Sequence, residues 1–211
     1  MTTVLLTGFE PFGGVAENPS WTAVRQVAEE WDGEARVVAE LLPVEFERAS
    51  TALAAALERH RPDVVIATGF AQERRAVTPE WRAVNLDDAR IPDNGGAQPR
   101  GKRIEDGGPD ALGSTLPVEA IVAALDRVGI PAAASESAGA YVCNHLFYRL
   151  QRMTAGTPVR SGFIHVPPTP GTGLGESTPT IPAAMVTSAI RIAVATTLAE
   201  FGEAPFDGAA R

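Results

Sequence analysis

The run Val64-Val65-Ile66-Ala67-Thr68-Gly69 decides the fold. Four consecutive apolar residues, three of them β-branched, fit a strand buried on both faces, and Thr68-Gly69 ends it. Immediately upstream, Phe46, Ala49, Leu53, Ala56, Leu57 and His60 recur at helical spacing. Residues 46–60 therefore read as an amphipathic helix, stopped by Pro62. Before it, Ala35–Leu42 suits a strand closed by Pro43, and Asn18-Pro19-Ser20-Trp21 opens a helix reaching about Trp31. A first apolar run, Val4-Leu5-Leu6, ends in Thr7-Gly8. This strand–helix alternation predicts a mostly parallel central sheet with helices on both faces, a three-layer α/β/α sandwich built as one domain over 1–211.

Downstream, Ala76–Val84 reads as extended, followed by a long loop from Asn85 to Ser114. A connection of that length is functional or disordered. Pro117 opens a helix to about Val128, and Ile130–Ser135 suggests a short strand. A helix bearing Cys143 follows, then the apolar strand Gly162-Phe163-Ile164-His165-Val166. Residues 167–182, rich in Pro, Thr and Gly, are expected to be mobile or a lid. Pro182 begins a strongly apolar helix to about Phe201, of the kind found centrally or at a subunit interface. Its run Ala183–Leu198 carries Arg191 and several Thr and reads as too short and too polar for a membrane span.

The bulk composition excludes some functions. With 18 Lys and Arg against 26 Asp and Glu, the net charge is −8. A nucleic-acid surface needs clustered cations, so no nucleic-acid partner is expected. A single Cys in 211 residues forms no internal disulfide. The segment Met1–Gly8 lacks a basic region followed by a long apolar one, so a cytoplasmic protein without a membrane partner is expected.

The first strand leads into Gly8-Phe9-Glu10-Pro11-Phe12-Gly13-Gly14. Its glycine spacing resembles a phosphate loop, but Gly14 and Val15 stand where Lys and Ser or Thr are required. The G-x-G-x-x-G dinucleotide pattern is absent as well. Phe9 and Phe12 are left with two readings. They clamp a small flat ring at the strand's end, or they pack beneath the loop into the core.

Cys143 also has two readings, an inert buried thiol or a nucleophile. A nucleophile needs a base. His60 ends an amphipathic helix on its apolar face and reads as structural. His145 is two residues from Cys143 and points to a different helix face. His165, at the end of an apolar strand, remains as the candidate base. A position near a helix start would favour a Cys143 thiolate through the helix macrodipole. The acid that would orient the imidazole is open among Glu10, Glu73, Glu80, Asp87, Asp88 and Asp93. No metal is expected, because Cys143 and His145 lack further ligands at suitable spacing.

Several segments together resemble one family. They are Gly8–Gly14 with Asn18-Pro19, the stretch Gly69–Asn85, Asp87-Asp88-Ala89-Arg90-Ile91-Pro92-Asp93-Asn94, and Ser114-Thr115-Leu116-Pro117. Ser137-Ala138-Gly139 with Val142-Cys143-Asn144-His145, and Gly162–Pro167, complete the set. In this order they resemble the pyrrolidone carboxyl peptidases, or type I pyroglutamyl peptidases. The resemblance implies a cysteine peptidase acting on peptides with an N-terminal pyroglutamate, without a cofactor. It implies Cys143 as nucleophile, His165 as base, Glu80 as the orienting acid, and Arg90 near the oxyanion. It also implies that Phe9 and Phe12 flank the ring, that Phe70 and Val142 belong to the substrate-binding set, and that the protein is a homo-oligomer, a tetramer or dimer.

The sequence departs from that family at Phe70, where the family usually has Gln, and at Gln72 and Glu73, where it usually has glycines. Around the acid it reads Thr78-Pro79-Glu80-Trp81-Arg82. These changes bear on affinity and on preference beyond the ring. They also frame two alternatives, a related amidase or esterase of altered acyl specificity and a binding protein with a retired site.

Overall fold

The computed structural model describes residues 1–175 and 177–203. Glu176, within the expected lid, and 204–211, at the end of the expected domain, lie outside the described residues. The five-stranded sheet has the order β2 (Arg36–Leu42), β1 (Thr3–Phe9), β3 (Val64–Phe70), β7 (Arg160–Val166) and β4 (Thr78–Pro79). The first four are parallel, and β4 joins β7 antiparallel. A separate antiparallel pair joins β5 (Arg82–Val84), in the expected extended stretch, to β6 (Ala111–Gly113), inside the expected long loop.

The two faces of the sheet explain why its strands are continuous apolar runs. Val4, Leu6, Val64, Ile66, Ile164 and Val166 face one core. That core is covered by α1 (Pro19–Glu30), α3 (Val118–Arg127) and α5 (Ala183–Glu203). Leu5, Val65, Ala67 and Phe163 face the other. There α2 (Phe46–His60) and α4 (Val142–Thr154) supply Leu53, Leu146, Phe147 and Leu150. Period-2 alternation therefore feeds two cores, and no strand of the parallel set shows a polar face at its centre.

Local chemistry fixes the helix ends. Asn18 caps α1, its side chain accepting from the Ser20 amide at 3.1 Å, with Pro19 next. At the end of α2, Arg61 takes a left-handed conformation and its amide donates to Leu57 O before Pro62 turns the chain away. Gly8 has no alternative: a Cβ there would lie 2.6 Å from the Trp21 backbone, so only glycine lets α1 pack against the end of β1.

Three expectations need correction. Residues 130–135 form no continuous strand; they run beside residues 77–81 through backbone hydrogen bonds and the isolated bridges Val77↔Ala132 and Glu80↔Ser135, and Ile130 packs into the core. Pro131 has no N–H to give to a ladder, which limits pairing there. The segment after β7 is anchored in its first half. Thr169 and Thr172 are buried, a 3-10 turn spans Pro170–Thr172, and Ala16 N–H donates to Thr172 O at 3.1 Å. Finally, Ala183–Glu200, with mean hydropathy 1.3, is by length and composition apolar enough to cross a membrane. The helix is longer than the sequence run suggested because it continues to Glu203. Here it is a flanking helix, with Val186, Ile190, Ala193 and Val194 buried against the sheet and its neighbours.

Strand order places the functional end. From β1 the chain moves outward to β2, then returns to the other side of β1 as β3. The crevice beyond the C-terminal ends of β1 and β3 is the switch point where open α/β sheets hold ligands.

Candidate active site

Phe9 ends β1, Phe70 ends β3, and His165 stands one residue from the end of β7. In the β3–β7 register Gly69 lies directly beside His165. Cys143 reaches the same point from above, in the first turn of α4. A Cβ on Gly69 would lie 2.7 Å from Cys143 Sγ and 2.7 Å from the Phe163 ring, so the strand needs glycine for the sulfur to sit against it beside that ring. No side chain caps α4 at Tyr141, which leaves its first-turn amides at the crevice.

His165 is buried, and its Nδ1 lies 2.7 Å from Glu80 Oε1. Glu80 is fully buried, held just past β4 by its amide to Phe163 O and by the bridge to Ser135. The carboxylate has a second partner. Arg74 donates to the same Oε1 at 3.0 Å, to Ser135 Oγ at 3.0 Å and to Ser137 O at 2.9 Å. One guanidinium thus ties Glu80 to the turn preceding α4. It offsets part of the cost of a buried carboxylate, whose Oε2 has no partner among the described residues.

The thiol differs from the expected helix-stabilised thiolate. Burial, first, and the negative charges of Glu80 and Glu73, next, push Cys143 up to about 12. Its own backbone amide opposes this only in part. Two carboxylates and desolvation outweigh the helix dipole and favour the protonated thiol of Cys143.

Cys143 and His165 open into a cavity of about 400 Å³. Its inner wall is aromatic. The Phe12 ring lies 6.1 Å from Phe70 and 6.1 Å from Tyr141, whose hydroxyl donates to Pro92 O at 3.0 Å. Both readings of the first-loop pair apply in part. Phe9 is packed in the core yet lines the cavity, whereas Phe12 is half-exposed. Phe70, Val142 and Arg90 line the same space. Arg90 is exposed, and its guanidinium makes no ion pair or hydrogen bond among the described residues.

The other candidate groups separate cleanly. His145 is buried with Nδ1 2.8 Å from Asp87 Oδ2, and the Phe46 ring lies edge-on to it. His60, at the C-terminal end of α2, has Nε2 2.6 Å from Glu40 and does not line the cavity. Glu10 accepts from the Val44 amide and from Asn94. Asp93 accepts from the amides of Phe46 and Ala97, and Asp88 from that of Gly101. These bonds pin the long 85–114 loop in place. Of the six carboxylates, Glu80 alone meets His165. Sequence reasoning overlooked Arg74 and Tyr141 as site residues. Arg74 lies within the quoted stretch Gly69–Asn85 and Tyr141 directly before Val142, but neither spacing nor composition signals contacts with residues 61 and 49 positions away.

Among the described residues, no three His, Cys, Asp or Glu side chains form a group that could hold a metal. The arrangement is that of a three-layer α/β protein with a cysteine, a histidine–carboxylate pair and an aromatic pocket at its switch point. The family described as pyroglutamyl peptidase matches residues 2–200. A pyrrolidone-carboxylate peptidase from Clavibacter michiganensis is 47% identical over 200 residues, covering 94% of each chain. Pyroglutamyl peptidase I from Bacillus amyloliquefaciens superposes with a TM-score of 0.91 at 43% identity, over 95% of this chain and 98% of that one. Pyrrolidone carboxyl peptidase from Thermococcus litoralis gives 0.88 at 40% identity over the whole of both chains. The chain belongs to the pyroglutamyl peptidase family.

Proposed function

We propose that this chain is a cysteine peptidase that removes an N-terminal pyroglutamyl residue from peptides, with Cys143 as nucleophile, His165 as base and Glu80 as the acid orienting it. The observation that carries this reading is the His165–Glu80 contact of 2.7 Å beside a thiol that only Gly69 leaves room for.

With its Nδ1 proton directed to Glu80, His165 keeps Nε2 to take the thiol proton as attack occurs. A new S–C bond forms at the exocyclic carbonyl, and the carbonyl oxygen becomes an oxyanion. The Cys143 N–H at the uncapped start of α4 donates to it, and Arg90 adds positive charge. The C–N bond breaks as imidazolium gives its proton to the leaving amine. Water then attacks the thioester with His165 as base, releasing pyroglutamate and restoring the thiol.

The ring is small, flat and uncharged, so an apolar wall suits it. Phe9, Phe12, Phe70 and Val142 form that subsite, and the cavity volume accommodates the lactam with part of the following residue. The need for a free thiol fits a reducing compartment, hence the cytoplasm. The exposed small residues Ala184, Ser188, Ala195 and Ala199 along α5 would let a second copy approach closely, in keeping with a homo-oligomer, a tetramer or dimer. Release of a fluorogenic amine from a pyroglutamyl amide tests the activity; Cys143→Ser and His165→Ala should abolish it, and unchanged turnover in either would refute these assignments.

A further inference from the structure

The sheet gives the site two sides, and this assigns a direction to the substrate. Along the strand ends the order is Phe9 on β1, Gly69 and Phe70 on β3, His165 on β7, then Glu80 beyond β4. The aromatic wall lies at β1 and β3. The leaving amine must receive its proton from His165, so the departing peptide exits over β7 toward β4. The connection from β3 to β4 turns at that side, tightened by the Arg74 amide donating to Ala71 O at 3.1 Å. Gln72, Glu73 and Arg74 from this turn line the cavity together with Ser137 and Gly139.

The charges there are unequal in their freedom. Arg74 is committed to Glu80, Ser135 and Ser137. Glu73 is exposed and makes no ion pair or hydrogen bond among the described residues. Its field nevertheless reaches the nucleophile, since it is one of two carboxylates that disfavour the Cys143 thiolate. An exposed carboxylate without a partner among the described residues, lining the same cavity as Cys143 on the leaving-group side, is placed to face the side chain of the residue following the scissile bond.

We propose that Glu73 is a specificity-determining residue for the leaving side of the substrate, favouring peptides in which Lys or Arg follows the pyroglutamyl residue and disfavouring those with Asp or Glu there. The inference rests on the peptidase reading above. Attraction to a cation and repulsion of an anion act in opposite directions, so their ratio is the sensitive quantity. An exposed pair of this kind gives about a three- to tenfold difference in kcat/KM between the two substrates at low salt. Screening reduces it as ionic strength rises.

The test compares kcat/KM for pyroglutamyl-lysine amide and pyroglutamyl-glutamate amide in the unaltered protein and in Glu73→Asp, Glu73→Gln and Glu73→Lys, at low and high salt. Taking the ratio within each variant cancels any general change in the nucleophile. The expected result is a lysine preference kept in Glu73→Asp, reduced to near unity in Glu73→Gln and inverted in Glu73→Lys, each weakening with salt. A ratio that stays the same in Glu73→Gln and Glu73→Lys while both amides are cleaved overturns the role of Glu73 and leaves the peptidase reading standing. Failure of the unaltered protein to cleave either amide overturns both.

Discussion

Glu80 Oε1 lies 2.7 Å from His165 Nδ1, and the two residues are brought together by the antiparallel addition of β4 to β7. Neither strand alone would place them. β7 delivers the imidazole at the end of a buried parallel strand, and the short β4 turns the following carboxylate inward, where it is fully buried. A second buried pair, His145 with Asp87 at 2.8 Å, has the same chemistry but sits against Phe46.

These two pairs should respond differently to loss of charge. Glu80→Gln should lower kcat by roughly 10³-fold or more with the fold retained, because the imidazole loses the partner that fixes its tautomer. Asp87→Asn should act mainly on stability, by about 1–3 kcal/mol, since it weakens a buried bond that anchors the 85–114 loop to α4. Steady-state kinetics beside denaturant unfolding separates them. A larger kinetic effect from Asp87→Asn would reverse the assignment.

Arg74 ties Glu80 to Ser135 and Ser137. Arg74→Ala leaves a buried carboxylate with no guanidinium. Its own side chain is 28% exposed, so the loss falls below that of a fully buried pair, at about 1–3 kcal/mol. The kinetic loss should appear in kcat more than in KM, and Arg74→Lys should recover only part of it, because one ammonium does not reproduce the guanidinium's planar fork.

Gly69→Ala places a methyl group 2.7 Å from Cys143 Sγ. Sulfur or strand must move, and the expected outcome is a fall in kcat/KM on the order of 10²-fold with a stability loss of roughly 1–3 kcal/mol. Retained activity with native stability would mean that sulfur and strand are not in contact.

Cys143 is raised from an ordinary 9.0 to about 12, chiefly by burial. A raised folded value stabilises the fold below pH 9, and that contribution is lost as pH rises from 9 toward 12. Cys143→Ala should therefore flatten part of the alkaline loss of stability. In the substrate-free protein, iodoacetamide labelling should keep climbing with pH beyond 9, whereas a plateau reached below pH 7 would indicate a resting thiolate instead.

Much of this was legible in the sequence for a physical reason. Val64–Gly69, Val4–Leu6 and Gly162–Val166 are strands buried on both faces, so hydropathy alone marks them. The helix at Phe46–His60 has the same bounds as its hydrophobic spacing indicates. The exclusion of His145 also followed from helix geometry, and its bond to Asp87 accounts for it. What remained hidden depends on contacts remote in sequence. The reach of Arg74 to Ser135 spans 61 positions, and the choice of Glu80 among six carboxylates required the β4–β7 pairing. The upward push on the Cys143 thiol is not legible in the sequence, because the helix dipole is local and visible, while desolvation and the field of Glu80 emerge only once the chain is packed.

The most direct test of the central claim is to trap the covalent intermediate. Mixing the protein with a pyroglutamyl amide, quenching rapidly in acid and measuring the intact mass should show one added pyroglutamyl group, mapped by digestion to the peptide containing Cys143. The adduct should be absent in Cys143→Ala. Turnover of the amide by Cys143→Ala, with no adduct on the unaltered protein, would contradict the account.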